Sequence, residues 1–465
     1  MAWWVTAAWA STGVADIAVD ASGAHLVGLR IDGGRARPLP PGPVSFDGAS
    51  GSFGWPDPRV HSVIGGATGK SDWGIARVRF PWPTGARGLR LGTELRIPIL
   101  AGPTTAIRLH GEGAAEERLD LVILADGYRT EDLAKFEVDA QLVVDHLLTL
   151  EPWATYQDLL GIWRVNTESV ESGVDHDEWP EPLRRDTALG CAYGCDGISR
   201  LLCCDDALVL NAADEALPAV DGILVLVNDL AYGGAGGFTY AAAYTGDEDA
   251  VLVAAHEIGH TLVGLWDEYS YGVTGTGEGP NCAPAETVPW DEWLGAEGVD
   301  TFSDCSFTNL SRPTESGCIM KTLTDGYCPV CRQEAMFALY DKVPSLVTSS
   351  NPPMGSALSP GDEVIPNPVG IVGRLEFEWT VGDEVVGTDD TYTVSCDDPG
   401  DLLGLVARDP TAWVRDDPYG LTAQAVGAWP IDRSSCPGQC GCEHFAVGKL
   451  PTLLVPWFFR RRRKC

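Results

Sequence analysis

The run from Val251 to Gly264, VLVAAHEIGHTLVG, constrains this chain more than any other stretch. Val251, Leu252, Ile258, Leu262 and Val263 give it the apolar content of a mostly buried helix, yet two histidines and a glutamate sit inside it. Burying two imidazoles and a carboxylate is costly unless each finds a partner. His256 and His260 lie four apart, so one helix face aims both rings at one point. A tetrahedral zinc ion asks that of two of its ligands. Glu257 follows the first histidine, beside the ion and placed to take a proton from water there. With eight histidines in the chain, an H-E-x-x-H arrangement is expected by chance on the order of 0.01 times. The plainer reading is two histidines satisfied inside a helical core, and it must still find partners for all three groups.

A catalytic zinc ion takes a third protein ligand and keeps one position open. The helix has to end for the chain to return to the ion. Run straight on, position 267 would lie about 16 Å past His256 at 1.5 Å per residue. Gly264 is well placed for the turn, because glycine adopts the left-handed conformation without a Cβ penalty. The chain continues Leu265-Trp266-Asp267-Glu268-Tyr269. In metzincin-type motifs the third ligand sits three residues past such a glycine, and that count gives Asp267. Glu268 is the alternative ligand, or else holds a ligand or the turn by a hydrogen bond; a ligand from elsewhere in the chain is the third option. Gly317-Cys318-Ile319-Met320-Lys321 resembles the turn that places a methionine beneath the metal in metzincin-like enzymes, the alternative being a core-filling Met320. Tyr269 and His176 are the candidate oxyanion stabilisers. Gly233 to Thr245, with Phe238, Tyr240 and Tyr244, reads either as a flexible loop or as an edge strand for an extended peptide.

A chain of 465 residues is too long for one ordinary core, which implies two or three domains. No stretch reaches the roughly 18 uninterrupted apolar residues of a spanning helix. A net charge of -34 repels a phosphate backbone and argues against nucleic acid as a partner. Fourteen cysteines are many for a cytosolic chain. Disulfides in an exported protein are the first reading. A structural zinc at Cys328-Pro-Val-Cys331 with another pair is the second, although no second CxxC stands at finger spacing.

Residues 1–12 read as a signal segment, apolar over Ala2 to Ala10 and ending in small residues, though without a basic start. Residues 13–115, with short alternating runs such as Ala24–Ile31 and Ile75–Phe80 broken by Gly and Pro, predict an N-terminal β-sandwich. Residues 116–347 predict an α/β (α+β) catalytic domain with a mixed sheet. Its elements are buried strands at Leu119–Leu124, Ile162–Val165 and Ile223–Val227, a helix over Asp132–Leu150 and the histidine helix. Residues 350–432, with alternation at Leu375–Val381 and Asp390–Val394, predict an immunoglobulin-like β domain. Residues 433–465 carry cysteines, an apolar run with Pro451 and Pro456, and Arg460 to Lys464. That tail resembles a MYXO-CTERM sorting tag, which implies envelope association; a disordered basic tail is the alternative.

Several blocks in order resemble the bacterial zinc peptidases whose founding member is an immunoglobulin A peptidase. They are LDLVILADGY (119–128), VESGVDH (170–176) with DTALG (186–190), LVNDLAYGGAGG (226–237) and HEIGHTLVGLWDEY (256–269). The resemblance spans about 118–345, and the Cys-rich insertions depart from it. It implies a zincin-like, metzincin-like catalytic domain and a zinc metalloendopeptidase with one catalytic ion on His256, His260 and Asp267. Glu257 is then the general base, and the substrate a polypeptide met outside the cell or at its surface. It does not carry over immunoglobulin A as substrate. The rival readings are a surface binding or adhesion protein with a vestigial zinc domain, and a metal hydrolase acting on a non-peptide bond. An intact Glu257 speaks against the first.

Overall fold

A computed structural model describes strands between residues 9 and 97 and, apart from 114–117, 177–181, 218–219, 238, 324–325, 344, 370–374, 383 and 418–419, residues 106–436. The first eight residues of the expected signal segment, Phe238, and the tail from 437 onward lie outside the described residues.

A six-stranded mixed sheet carries the site. Its strands are β1 (Ile107–His110), β2 (Leu119–Asp126), β3 (Leu160–Val165), β4 (Gly222–Val227), β5 (Gly234–Gly236) and β6 (Ala241–Tyr244), in the order β5-β6-β4-β2-β3-β1. The inner four are parallel; β1 and β5 close the two edges antiparallel. The inner strands are buried at every residue, so they read as unbroken apolar runs rather than alternation.

Period-two geometry splits β2 between two cores. Leu119, Leu121, Ile123 and Ala125 pack with helices α1 (Leu133–Leu147) and α3 (Ala250–Ile258). Val122 and Leu124 pack on the opposite face with α2 (Asp206–Ala216), through Val209, Ala213 and Ala216. Helix α1 buries Phe136, Val143, Val144 and Leu147, the face its spacing predicts, and stops at Leu147, short of the expected Leu150. Helix α2 was not expected; the side chain of Asp205 caps it by accepting from the Ala207 and Leu208 amides.

The family-like blocks interlock at the C-terminal end of β2. The Asp126 carboxylate accepts from the Leu189 and Cys191 amides at 2.7 and 3.1 Å. Gly127 has φ +72°, and a Cβ there would stand 2.5 Å from the Gly173 carbonyl oxygen. Asn228 Nδ2 donates to the Gly127 carbonyl at 3.1 Å. Four stretches far apart in sequence are thereby fixed around one strand end, where ligands bind in α/β sheets.

Beyond α4 (Pro329–Lys342), two antiparallel sheets form from Val347–Asn351, Glu363–Pro368 and Tyr392–Thr393, and from Glu384–Gly387, Glu376–Val381, Leu402–Arg408 and Ala423–Pro430. Trp379, Leu403 and Trp429 belong to the same buried cluster as Leu119 and Trp153, so the core runs on without a gap. The hydroxyls of Tyr156 and Tyr340 both donate to the Asp409 carboxylate across this junction. Cys396–Cys436 and Arg433, which donates to the Asp398 and Gly400 carbonyls, tie the chain to the fold as far as residue 436. Near the N-terminus, Gly23–Ile31, Trp9–Asp20 and Gly74–Pro83 form one antiparallel sheet, and Val44–Asp47, Gly88–Leu91 and Leu95–Ile97 another.

Candidate metal centre and active-site cleft

Helix α3 runs into a single π turn over Gly259–Val263 and then stops at Gly264, whose φ is +81°. A Cβ there would meet nothing within 4 Å, so the backbone angle alone calls for glycine. The turn brings Asp267 back to the helix. Asp267 Oδ1 lies 3.0 Å from His256 Nε2 and 3.2 Å from His260 Nε2, and the two Nε2 atoms are 3.1 Å apart.

The other ring nitrogens are already committed. His256 Nδ1 meets the Ile319 carbonyl at 2.8 Å, and His260 Nδ1 the Leu265 carbonyl at 2.7 Å. A carbonyl only accepts, so each Nδ1 carries a proton, and in its neutral form each ring presents the Nε2 lone pair to the centre. Asp267 Oδ1 is buried with no hydrogen-bond donor of its own. Three acceptor atoms thus face one point. Zinc bonds of 2.0–2.1 Å at tetrahedral angles put ligand atoms about 3.3 Å apart, close to the three observed separations. The donor set and its spacing fit zinc.

The electrostatics select positive charge. Burial disfavours a charged His260, yet Asp267 and Glu257 raise its imidazole to about 9. Burial opposes the Asp267 carboxylate as well, but the two histidines hold it far below the usual range. The Tyr271 hydroxyl donates to Asp267 Oδ2 at 2.6 Å and fixes that carboxylate from behind.

Glu257 is buried beside the triad, and burial raises its carboxyl above the ordinary value. It lies against edge strand β5. A Cβ on Gly234 would sit 2.8 Å from Glu257 Oε1, and one on Gly236 would sit 2.6 Å from the His260 Cβ. Gly234 and Gly236 of GGAGG are therefore required by close approach of strand to helix. Tyr240 and Tyr244 of the same stretch are core residues instead: Tyr240 bonds the Cys204 backbone and Tyr244 donates to Asp247.

Met320 lies beneath the helix, fully buried, with its sulfur 2.8 Å from where a Gly259 Cβ would stand. Its carbonyl accepts from the Glu268 amide at 2.8 Å. Glu268 itself turns away from the histidines; its Oε1 faces Cys331 Sγ at 3.2 Å and Asn281 Nδ2 at 3.2 Å.

A cleft of about 380 Å³ opens at His256 and Glu257, lined also by Arg200, Tyr232, Tyr269 and Lys321 among others. Tyr269 stacks toward His256 and accepts at its hydroxyl from Arg200 at 3.0 Å. His176 is not among the lining residues; it is held by Asp229 at 3.0 Å and stacked on Tyr193. Sequence reading missed Arg200 and Tyr232. Arg200 lies in the loop pinned by the disulfides Cys191–Cys204 and Cys195–Cys203, which no periodicity announces.

Residues 107–297 match the family model described as IgA Peptidase M64, a span running from β1 through the histidine helix and Asp267. No curated protein matches the chain. Over this segment the chain is similar to the IgA peptidase M64 family, and that similarity supports a peptidase.

Proposed function

We propose that this protein is a zinc-dependent metalloendopeptidase acting on extracellular polypeptides. The observation that supports this best is the triangle of His256 Nε2, His260 Nε2 and Asp267 Oδ1 beside a buried Glu257, with His256 and Glu257 lining an open cleft. Those three side chains would hold one zinc ion, which supplies Lewis acidity and lowers the pKa of water to about 7. Glu257 acts as the general base. Its raised affinity for a proton suits a group that takes one from the attacking water and returns it to the leaving amine. The edge strand β5 lies against Glu257, so an extended peptide laid along it passes the base. Tyr269, with Arg200 behind its hydroxyl, faces the cleft and is the better placed of the two oxyanion candidates.

Four disulfides support a secreted or cell-surface location. In this reading a metzincin-like catalytic domain is flanked by an N-terminal β-sandwich and an immunoglobulin-like domain, and the tail governs envelope association. The test is hydrolysis of casein and of a peptide library by the full chain, with and without a chelator. Chelator-sensitive cleavage restored by zinc is expected. Binding of polypeptide with no cleavage at any zinc load would favour the adhesion reading.

A further inference from the structure

We propose a second, structural zinc site formed by Cys318, Cys328, Cys331 and Glu268, sealed behind the catalytic centre. All four side chains are buried, and one ligand atom of each lies within 4.8 Å of the other three. Cys318 Sγ and Cys331 Sγ are 3.7 Å apart; Glu268 Oε1 lies 3.2 Å from Cys331 Sγ and 3.7 Å from Cys328 Sγ. Zinc–sulfur bonds of about 2.3 Å and a zinc–oxygen bond of about 2.0 Å at tetrahedral angles place two sulfurs about 3.8 Å apart. The same bonds put sulfur and oxygen about 3.5 Å apart. The observed sulfur–sulfur separation is close to the first value, and the two sulfur–oxygen separations bracket the second.

The surroundings agree. Eight of the eleven described cysteines pair as disulfides, and these three, although adjacent, do not. Glu268 Oε2 is buried without a hydrogen-bond partner, the position of a carboxylate waiting for a cation. Cys328 caps the N-terminus of α4, with Pro329 in the first turn, so the positive end of that helix faces the cluster and offsets part of its thiolate charge. Thiolates favour zinc over hard cations such as calcium or magnesium. On binding, the three thiol protons leave to solvent, and sulfur undergoes no change of oxidation state.

The site would also brace the first. Glu268 is the neighbour of Asp267. Cys318 precedes Ile319, whose carbonyl orients His256, and Met320, whose carbonyl receives the Glu268 amide. One ion would thus lock the ligand loop, the methionine turn and α4 together. The three cysteines lie beyond the matched family span of 107–297.

The full chain, purified without added metal chelator, should hold two zinc equivalents. His260→Ala should hold one, and Cys331→Ser should lose the other. Because Cys331→Ser can fail to fold, the wild-type chain provides an independent reading. Cobalt-exchanged protein should show a sulfur-to-cobalt charge-transfer band that persists in His260→Ala, since the catalytic triad contains no sulfur. Alkylation under denaturing conditions after chelation should label Cys318, Cys328 and Cys331. A disulfide joining any two of the three, a single zinc equivalent lost with His260→Ala, or cobalt loading without the charge-transfer band would overturn the proposal.

Discussion

Asp267 and Glu268 are adjacent acidic residues with opposite fates. Asp267 turns toward two imidazoles, one of which lines an open cleft; Glu268 turns toward three thiols in a closed core. The first set lies beside a cleft and the Glu257 carboxylate, as the proposed chemistry on a substrate requires. The second has four ligand atoms, no opening and no base, as a brace requires. The two consecutive side chains point to different sides, so one dipeptide can serve both. In the proposed reading the open set serves reactivity and the closed set rigidity.

This contrast can be broken from either side, and the largest effect is expected on the open set. His256→Ala or His260→Ala should lose the catalytic zinc and all measurable hydrolysis while thiolate-bound metal remains, read by metal analysis alongside a peptide assay. Asp267→Ala should behave like the histidine variants, whereas Glu268→Gln should retain zinc on the histidines. A chelator competition that ranks Glu268→Gln as the weaker binder at that site would reverse the assignment.

A smaller effect should come from β5. Gly236→Ala places a Cβ 2.7 Å from the Glu257 carbonyl oxygen, a backbone atom that cannot step aside. It should cost about 1–3 kcal/mol of stability and depress turnover, while Gly237→Ala, whose Cβ meets nothing within 4 Å, should be near neutral. Thermal melts and turnover numbers for the two would show whether the glycines are there for proximity. Tyr271→Phe removes the hydroxyl that donates to Asp267 and should weaken zinc by about 10- to 100-fold, measured against a chromogenic chelator. Removing residues 437–465, which spares the Cys396–Cys436 disulfide, should change location and leave peptide hydrolysis unaltered.

Much of the site could be read in the sequence because its signal is local. A four-residue spacing on one helix and a glycine three residues before an acid need no knowledge of distant packing. The strands of the sheet were legible for a related reason: buried on both faces, they are unbroken apolar runs. Other features depend on contacts between segments far apart. Arg200 belongs to a disulfide-held loop, where loop closure rather than periodicity sets the path, and helix α2 follows directly after it. The thiol cluster draws on positions 268, 318, 328 and 331, and only the 328–331 pair has a recognisable spacing. His176 looked like a site residue from its block, yet its ring is engaged by Asp229 and Tyr193.

The central claim is that Glu257 moves the proton while the histidines and Asp267 hold the ion. Glu257→Gln separates these roles, because glutamine matches the shape but cannot accept a proton at working pH. A zinc-loaded Glu257→Gln protein, assayed on a peptide the wild type cleaves, should keep its full zinc content and lose about 10²- to 10⁴-fold in turnover. Wild-type turnover in that zinc-loaded variant would contradict the account.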